Sequence, residues 1–254
     1  MSVEIIEMPA DEYHSLDRVS CSILKKMDCP AKARVFKEPS AAMDLGTAVH
    51  ALVLEPDKDL IAVAPKINRR TKAGKEEWEA FQREADGKVI LSQDDYNKAC
   101  AMCDSVISHP VAADLFSEGK AEQSILWTDT ETGEPCKARL DWLRNDRIVV
   151  DLKTARSASP GAFSRATFDL KYHWQCSWYS MAADADDFFF VVVESEAPYI
   201  CEVYRLTDEA KEVGRSEVMA ALEKYHACRI FDHWPGYSDE PKITMIDLPA
   251  WAYK

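Results

Sequence analysis

Six residues near the middle of the chain limit its fold more than any other feature. In Ile148-Val149-Val150-Asp151-Leu152-Lys153 an apolar, strand-like run is interrupted by an acid and a lysine two positions apart. Side chains alternate across a strand, so both charges project from one face. A buried strand tolerates such a pair only where something compensates it. The preceding strand-like run, Pro135 to Leu143, ends in a tight turn at Arg144 to Asp146, which can bring Asp141 beside Asp151. Two carboxylates and a lysine then converge. Close carboxylates repel unless a cation lies between them, and hard oxygen ligands suit Mg²⁺ or Mn²⁺. Beside such a cation the lysine can orient or help deprotonate an attacking water, while the metal polarises a phosphoryl oxygen. Taken alone, D-x-K also fits a salt bridge on a surface edge strand.

The rest of the chain supplies helices around this strand. A helix capped by Ser20 or Ser22 is expected to run through Ile23, Leu24 and Met27 to Cys29-Pro30, and a buried one from Asp44 to Leu54, ended by Glu55-Pro56. Asn68 to Gly74 reads as a basic loop, followed by helices from about Lys75 to Ala85 and from Gln93 to Ser108. Then the character changes. Ala121 to Trp127, Pro135 to Leu143 and Arg147 to Leu152 form an antiparallel meander with turns at Thr132-Gly133 and Asn145-Asp146. A helix from Tyr172 to Ala183, strands at Phe188 to Val193 and Ile200 to Leu206, and an amphipathic helix from Asp208 to about Cys228 follow. The fold class is α/β or α+β, a central mixed sheet flanked by helices. Residues 1–254 read as one domain, with a mainly helical part over 1–115, a sheet core over 120–206 and a C-terminal helix and tail over 207–254.

A net charge of −13 speaks against a polyanionic partner until its distribution is considered. Arg18 to Glu38 holds six basic and two acidic residues, and Lys66 to Lys75 five basic and none acidic. Lys25-Lys26 and Arg69-Arg70 in these islands are candidates for following a nucleic-acid backbone, although a charge run is also an ordinary solvated face. The opening MSVEIIEMPADEYHSL lacks a basic flank and apolar run, and Phe188 to Val193 is too short to cross a bilayer. A cytoplasmic protein with no membrane partner, its eight cysteines reduced, is the expectation.

Read together, Ser20 to Lys25, GTAVHALVLEP (Gly46 to Pro56), NRRTKAGKEEW (Asn68 to Trp78), Ala121 to Ile125, Ala138 to Trp142, Val150 to Thr154, YHWQCSWY (Tyr172 to Tyr179) and the terminal LPAWA resemble one family in order. This is the RecE (exonuclease VIII) nuclease-domain family of the PD-(D/E)XK superfamily, which includes lambda exonuclease and has a restriction-endonuclease-like core. The resemblance implies that His50, Asp141, Asp151 and the backbone carbonyl of Leu152 hold metal, and that Lys153 is the catalytic lysine. It implies further that Gln175 and Tyr179, one helical turn apart, form the Q-x-x-x-Y motif, and that Glu122 orients a ligand or water. Without it, His50 would read as a satisfied core histidine. Arg139, Arg156, Arg165 and Lys171 lie near the motif in sequence and are candidates for holding phosphates. The implied activity is 5′-to-3′ digestion of linear double-stranded DNA, exposing 3′ strands for phage-type recombination. It would use Mg²⁺, with Mn²⁺ able to substitute, as a pair of ions and without ATP. The implied partners are DNA ends, a RecT-type annealing protein and further copies in a ring.

Other chemistries are poorly served. After Tyr179 only Cys201 and Cys228 remain, too few to close an iron–sulfur cluster begun at Cys29. Cys100 and Cys103 form an isolated C-x-x-C that reads as helix packing. No P-loop, H-E-x-x-H or G-x-S-x-G is present. A DNA-binding recombination accessory that has lost catalysis, and a nuclease of endonucleolytic or single-strand preference, stay open as alternatives.

Overall fold

The computed structural model describes residues 3–35, 41–240 and 243–253; Lys37 and Glu38 of the first basic island lie outside them. In chain order the elements are β1 (Val3–Ile6), α1 (Ala10–Ser15), α2 (Cys21–Leu24), α3 (Pro30–Ala33), α4 (Ala41–Leu54), β2 (Ile61–Val63), α5 (Lys72–Glu84), β3 (Val89–Leu91), α6 (Gln93–Ser108) and α7 (Pro110–Leu115). They continue with β4 (Gly119–Thr128), β5 (Pro135–Arg144), β6 (Ile148–Ala155), α8 (Pro160–Asp169), α9 (Tyr172–Ala183), β7 (Asp187–Glu194), β8 (Cys201–Tyr204) and α10 (Asp208–Ile230).

The main sheet is mixed, in the order β1-β4-β5-β6-β7-β8. Strands β4, β5 and β6 form the expected antiparallel meander, and the first turn closes because the Asp129 carboxylate accepts from Thr132 N and Oγ1 while Gly133 takes φ 71°. Against β7, by contrast, β6 pairs in parallel along its whole length, Ile148↔Asp187 to Ala155↔Glu194. That explains the continuous apolar runs in both, since a parallel strand is covered on both faces. On one face α2, α9 and α10 bury Leu24, Trp174, Trp178, Val218 and Leu222 against Leu140, Val149, Phe188 and Phe190. On the other, α4 and α6 bury Ala48, Val49, Met102 and Val106 against Val150, Leu152, Val191 and Val193. Helices α9 and α10 approach so closely that a Cβ on Gly214 would fall 2.3 Å from the His173 carbonyl oxygen, so only glycine fits there.

Three differences from the sequence reading have physical causes. The helix expected to run to Cys29 stops at Leu24: Lys26, Met27 and Cys29 donate to carbonyls three residues back, a tighter turn that cannot propagate. Helix α5 starts earlier than expected, because Thr71 caps it through Gly74 N. The first strand was not anticipated, since Val3–Ile6 is stabilised by partners in β4 rather than by a local pattern. Among the described residues no helix is long and apolar enough to cross a membrane.

Candidate active site

Strands β5 and β6 pair at Trp142↔Val150 and Leu143↔Val149, next to their turn, and then part. The fork they leave is the site. At its base the Leu152 amide donates not to a strand carbonyl but to Asp141 Oδ2, at 2.8 Å. Asp151 and Lys153 share the face of β6 turned toward α9, as alternation requires. Asp151 is fully buried, and its Oδ2 accepts from Gln175 Nε2 at 2.5 Å. Its Oδ1 accepts no hydrogen bond of normal geometry, and the Lys153 ammonium lies against it as an ion pair.

Two further elements close around Asp141. Helix α4, seated on the sheet by Ala48 and Val49, carries His50 to the rim, with Nδ1 3.7 Å from Asp141 Oδ2. In β4 the ladder runs Ala121↔Trp142 and then Gln123↔Leu140, skipping Glu122, which would otherwise face Asp141. Glu122 instead adopts a left-handed φ of 52°, a conformation costing roughly 1 kcal/mol for a residue with a Cβ. Arg139 Nε holds its carboxylate at 2.5 Å. One ligand atom from each of His50, Glu122 and Asp141 lies within 4.8 Å of the others. These three residues open onto a cleft of about 920 Å³, or lie beside it.

Asp151 and Glu122 each have a cation, Lys153 and Arg139 respectively, whereas Asp141 has only His50 within ion-pair reach among the described residues. Burial and the neighbouring Asp151 charge push the Asp141 carboxyl well above the usual range. Burial works to lower the Lys153 pKa, but attraction to Asp151 and Asp141 outweighs it, so the lysine stays an ammonium. Burial and the Lys153 charge hold His50 below its usual value, which favours the neutral imidazole that binds metals. Tyr179 shares α9 with Gln175; its hydroxyl is pushed up by burial and has no hydrogen-bond partner among the described residues.

The candidate phosphate-holding cations are dispersed. Arg139, beyond Glu122, donates to Met8 O at 2.9 Å and Ser124 Oγ at 3.1 Å, so any hold on phosphate would compete with these bonds. Lys171 bonds Asp28 and the Lys25 carbonyl and lies over the Trp174 ring. Lys26 donates to Val35 O, and Arg69 stacks over Trp78, 4.5 Å from the ring centroid. Arg70, Arg156 and Arg165 are exposed and without an ion-pair partner among the described residues. The sequence reading missed the segment Glu7 to Asp11, which lines the cleft opposite His50. Nothing in its composition marks it, because its position follows from the pairing of β1.

Comparison with known families settles the class of fold. A family model described as a PDDEXK-like domain of unknown function (DUF3799) matches residues 20–245. The chain belongs to that family. A crystal structure of a Eubacterium rectale protein, named as a candidate exonuclease, superposes with a TM-score of 0.64 at 12% identity, covering 98% of each chain. A phage-related exonuclease from Haemophilus somnus 129PT gives 0.36 at 13% identity, covering 88% of this chain and 100% of its own. The first of these shares the fold of this chain over nearly its whole length. No curated protein matches the sequence. The PD-(D/E)XK nuclease fold expected from the sequence is therefore the fold of this chain.

Proposed function

We propose that the protein is a divalent-metal-dependent, ATP-independent exodeoxyribonuclease that degrades linear double-stranded DNA from the 5′ end, exposing 3′ strands for phage-type recombination. The observation carrying this reading is the convergence of Asp141, Asp151 and Lys153 at the β5–β6 fork, with His50 and Glu122 at its rim.

The donor set fits a hard cation. His50, Glu122 and Asp141 bring one ligand atom each within 4.8 Å of the others, Asp151 is close enough to add to burial in raising the Asp141 carboxyl, and His50 favours its neutral form. Asp141, Asp151, His50 and the Leu152 carbonyl would hold the metal, Mg²⁺ or Mn²⁺, as a pair of ions. When bound, such ions polarise a phosphoryl oxygen and lower the pKa of water. Lys153 remains protonated in the field of the two aspartates, so it acts as a donor that orients the attacking water and stabilises charge growing on phosphate oxygens. Gln175 fixes the Asp151 carboxylate, and Arg139 fixes Glu122, which orients water at the rim. Tyr179 backs the Gln175 face of α9. The water oxygen bonds to phosphorus as the bond to the leaving oxygen breaks, the water's proton passing to solvent and the leaving oxygen taking one up from it. Arg156, Arg165 and Arg70 are the freest cations for backbone phosphates, with Lys26, Arg69 and Lys171 beside them. A RecT-type annealing protein and a homo-oligomeric ring belong to the same reading, on the strength of the family resemblance.

The test is incubation of the protein with 5′-labelled linear duplex, nicked circle and single strand, with Mg²⁺ or with EDTA and without ATP. Cleavage of linear duplex that stops in EDTA is expected. Undiminished cleavage in EDTA, or attack on closed circles alone, would overturn the reading.

A further inference from the structure

Most cations around the fork already have an anion or a set of acceptors. Arg139 has Glu122, Lys171 has Asp28, and Lys153 has Asp151. Lys25 differs from all of these. Its side chain is half-buried at the end of α2, and among the described residues it has neither a carboxylate nor a hydrogen-bond acceptor. Its partner is the Tyr172 ring, whose centroid lies 5.3 Å from Lys25 Nζ. The same ring carries the Lys153 ammonium at 5.0 Å. One tyrosine thus joins the unmatched lysine to the lysine of the fork.

This placement is unfavourable in the absence of a ligand. A cation–π contact returns less than an ion loses when it is taken out of water. Burial above all, with the Lys153 and Lys171 charges, holds the Lys25 pKa below the ordinary lysine value, against the opposing influence of Cys21 and Asp151. The Lys171 ammonium, which donates to the Lys25 carbonyl at 3.2 Å, brings a further positive charge to this side of the fork. A half-buried cation beside a phosphodiester-cleaving centre lacks what a nucleic-acid strand supplies in excess.

We propose that Lys25 is a substrate-phosphate ligand, gripping the backbone phosphate adjacent to the one that faces Lys153. This rests on the nuclease reading above and sharpens it. Lys25 loads the strand into the fork, a role separate from the exposed arginines that follow the duplex outside it. The bound phosphate stabilises Lys25 and Lys153 on the same ring, so strand binding relieves the cation–cation repulsion.

The neutral, similarly shaped Lys25→Met variant tests this, with Lys25→Arg as its charge-preserving control. DNA affinity is measured in EDTA across a salt series, melting temperature without DNA, and Mn²⁺ binding by calorimetry. Lys25→Met should bind DNA roughly tenfold more weakly, as loss of one charged hydrogen bond implies. Its log–log salt slope should be shallower by about 0.9. It should melt no lower than wild type and bind Mn²⁺ equally, and Lys25→Arg should recover most of the affinity. Parallel salt lines with unchanged affinity would overturn the proposal, as would a lower melting temperature at wild-type affinity or a loss of Mn²⁺ binding. A wild type that cuts DNA while Lys25→Met binds it normally removes Lys25 alone. A wild type that neither binds nor cuts DNA removes the nuclease reading as well.

Discussion

Where β4 turns into β5, Glu134 is fully buried, yet each of its oxygens meets a basic group. His226 Nδ1 lies 2.5 Å from Oε1, and Arg229 Nη2 is in ion-pair contact with Oε2 at 2.9 Å, both from the last turns of α10. Within β5, Asp141 has its pKa raised by burial and by Asp151 and Glu122, which lie close to it, with Lys153 and Arg139 as the nearby cations and His50 favouring its neutral form. Glu134 sits between two basic groups, whereas Asp141 has, among the described residues, only a backbone amide and an imidazole that favours its neutral form, with burial, Asp151 and Glu122 raising its pKa. Glu134 ties α10 to the sheet. Asp141, with its carboxyl pushed above the usual range, costs stability when it is ionised.

That contrast yields a graded set of outcomes. Replacing Asp151 with Ala should abolish turnover and sharply weaken Mn²⁺ binding, whereas Lys153→Ala should abolish turnover with Mn²⁺ affinity retained. Calorimetry separates the two, and equal Mn²⁺ affinity in Asp151→Ala and wild type would contradict the ligand assignment. Next in size, Mn²⁺ at about a hundred times its dissociation constant should stabilise wild type by about 2.7 kcal/mol against thermal unfolding. Asp141→Asn should lose this gain, and a Glu134→Gln variant should keep it. Glu134→Gln should itself cost about 2 kcal/mol in urea unfolding through its weakened contacts to His226 and Arg229, with metal binding unchanged. If it also lost metal binding, the two clusters would not be independent.

The smallest effect is in pH and has opposite signs in two places. Asp141 has its folded pKa raised, so its contribution is present below the unfolded carboxylate value and is lost as pH rises through the folded one. In metal-free protein, Asp141→Asn should therefore gain on wild type in melting temperature as pH rises. Asp187 is the reverse. Burial would raise it, but the Phe188 amide together with Lys211 and Arg205 lowers it, so its stabilisation is present above the unfolded value and lost on acidification. Asp187→Asn should melt below wild type at neutral pH, and the gap should close as pH falls through the acid range.

The legible parts of the molecule were those written in local pattern. Helix α6 begins and ends at Gln93 and Ser108, as expected, because Ser92 caps it and Pro110 follows it. The meander was legible from its alternation and turns, the shared face of Asp151 and Lys153 from their spacing, and the approach of Asp141 to β6 from the turn between the strands. The fork was not legible. The hairpin brings Asp141 near β6, but the strands separate just past their turn, and that depends on β6 being paired to β7 along its other edge. Nor was the skipped pair at Glu122, whose φ is set by Arg139 and the opposing acids rather than by its own propensity. The commitments of Arg139 and Lys171 were invisible for a similar reason, since a basic residue near a motif gives no sign of which neighbour will claim it.

The pairing of β1 with β4, Val3↔Trp127 to Ile6↔Ser124, also orders events in time. At about 5–20 residues per second, a nascent chain exposes its first strand on the order of ten seconds before its partner is made. The following segment waits longer still, for Lys137 to take the carbonyls of Tyr13 and Leu16 and for Arg139 to take that of Met8. This segment is thus made well before the strand and the side chains it docks on. One wall of the cleft is missing until β5 has emerged, so the cleft is completed late in the synthesis of this stretch of chain.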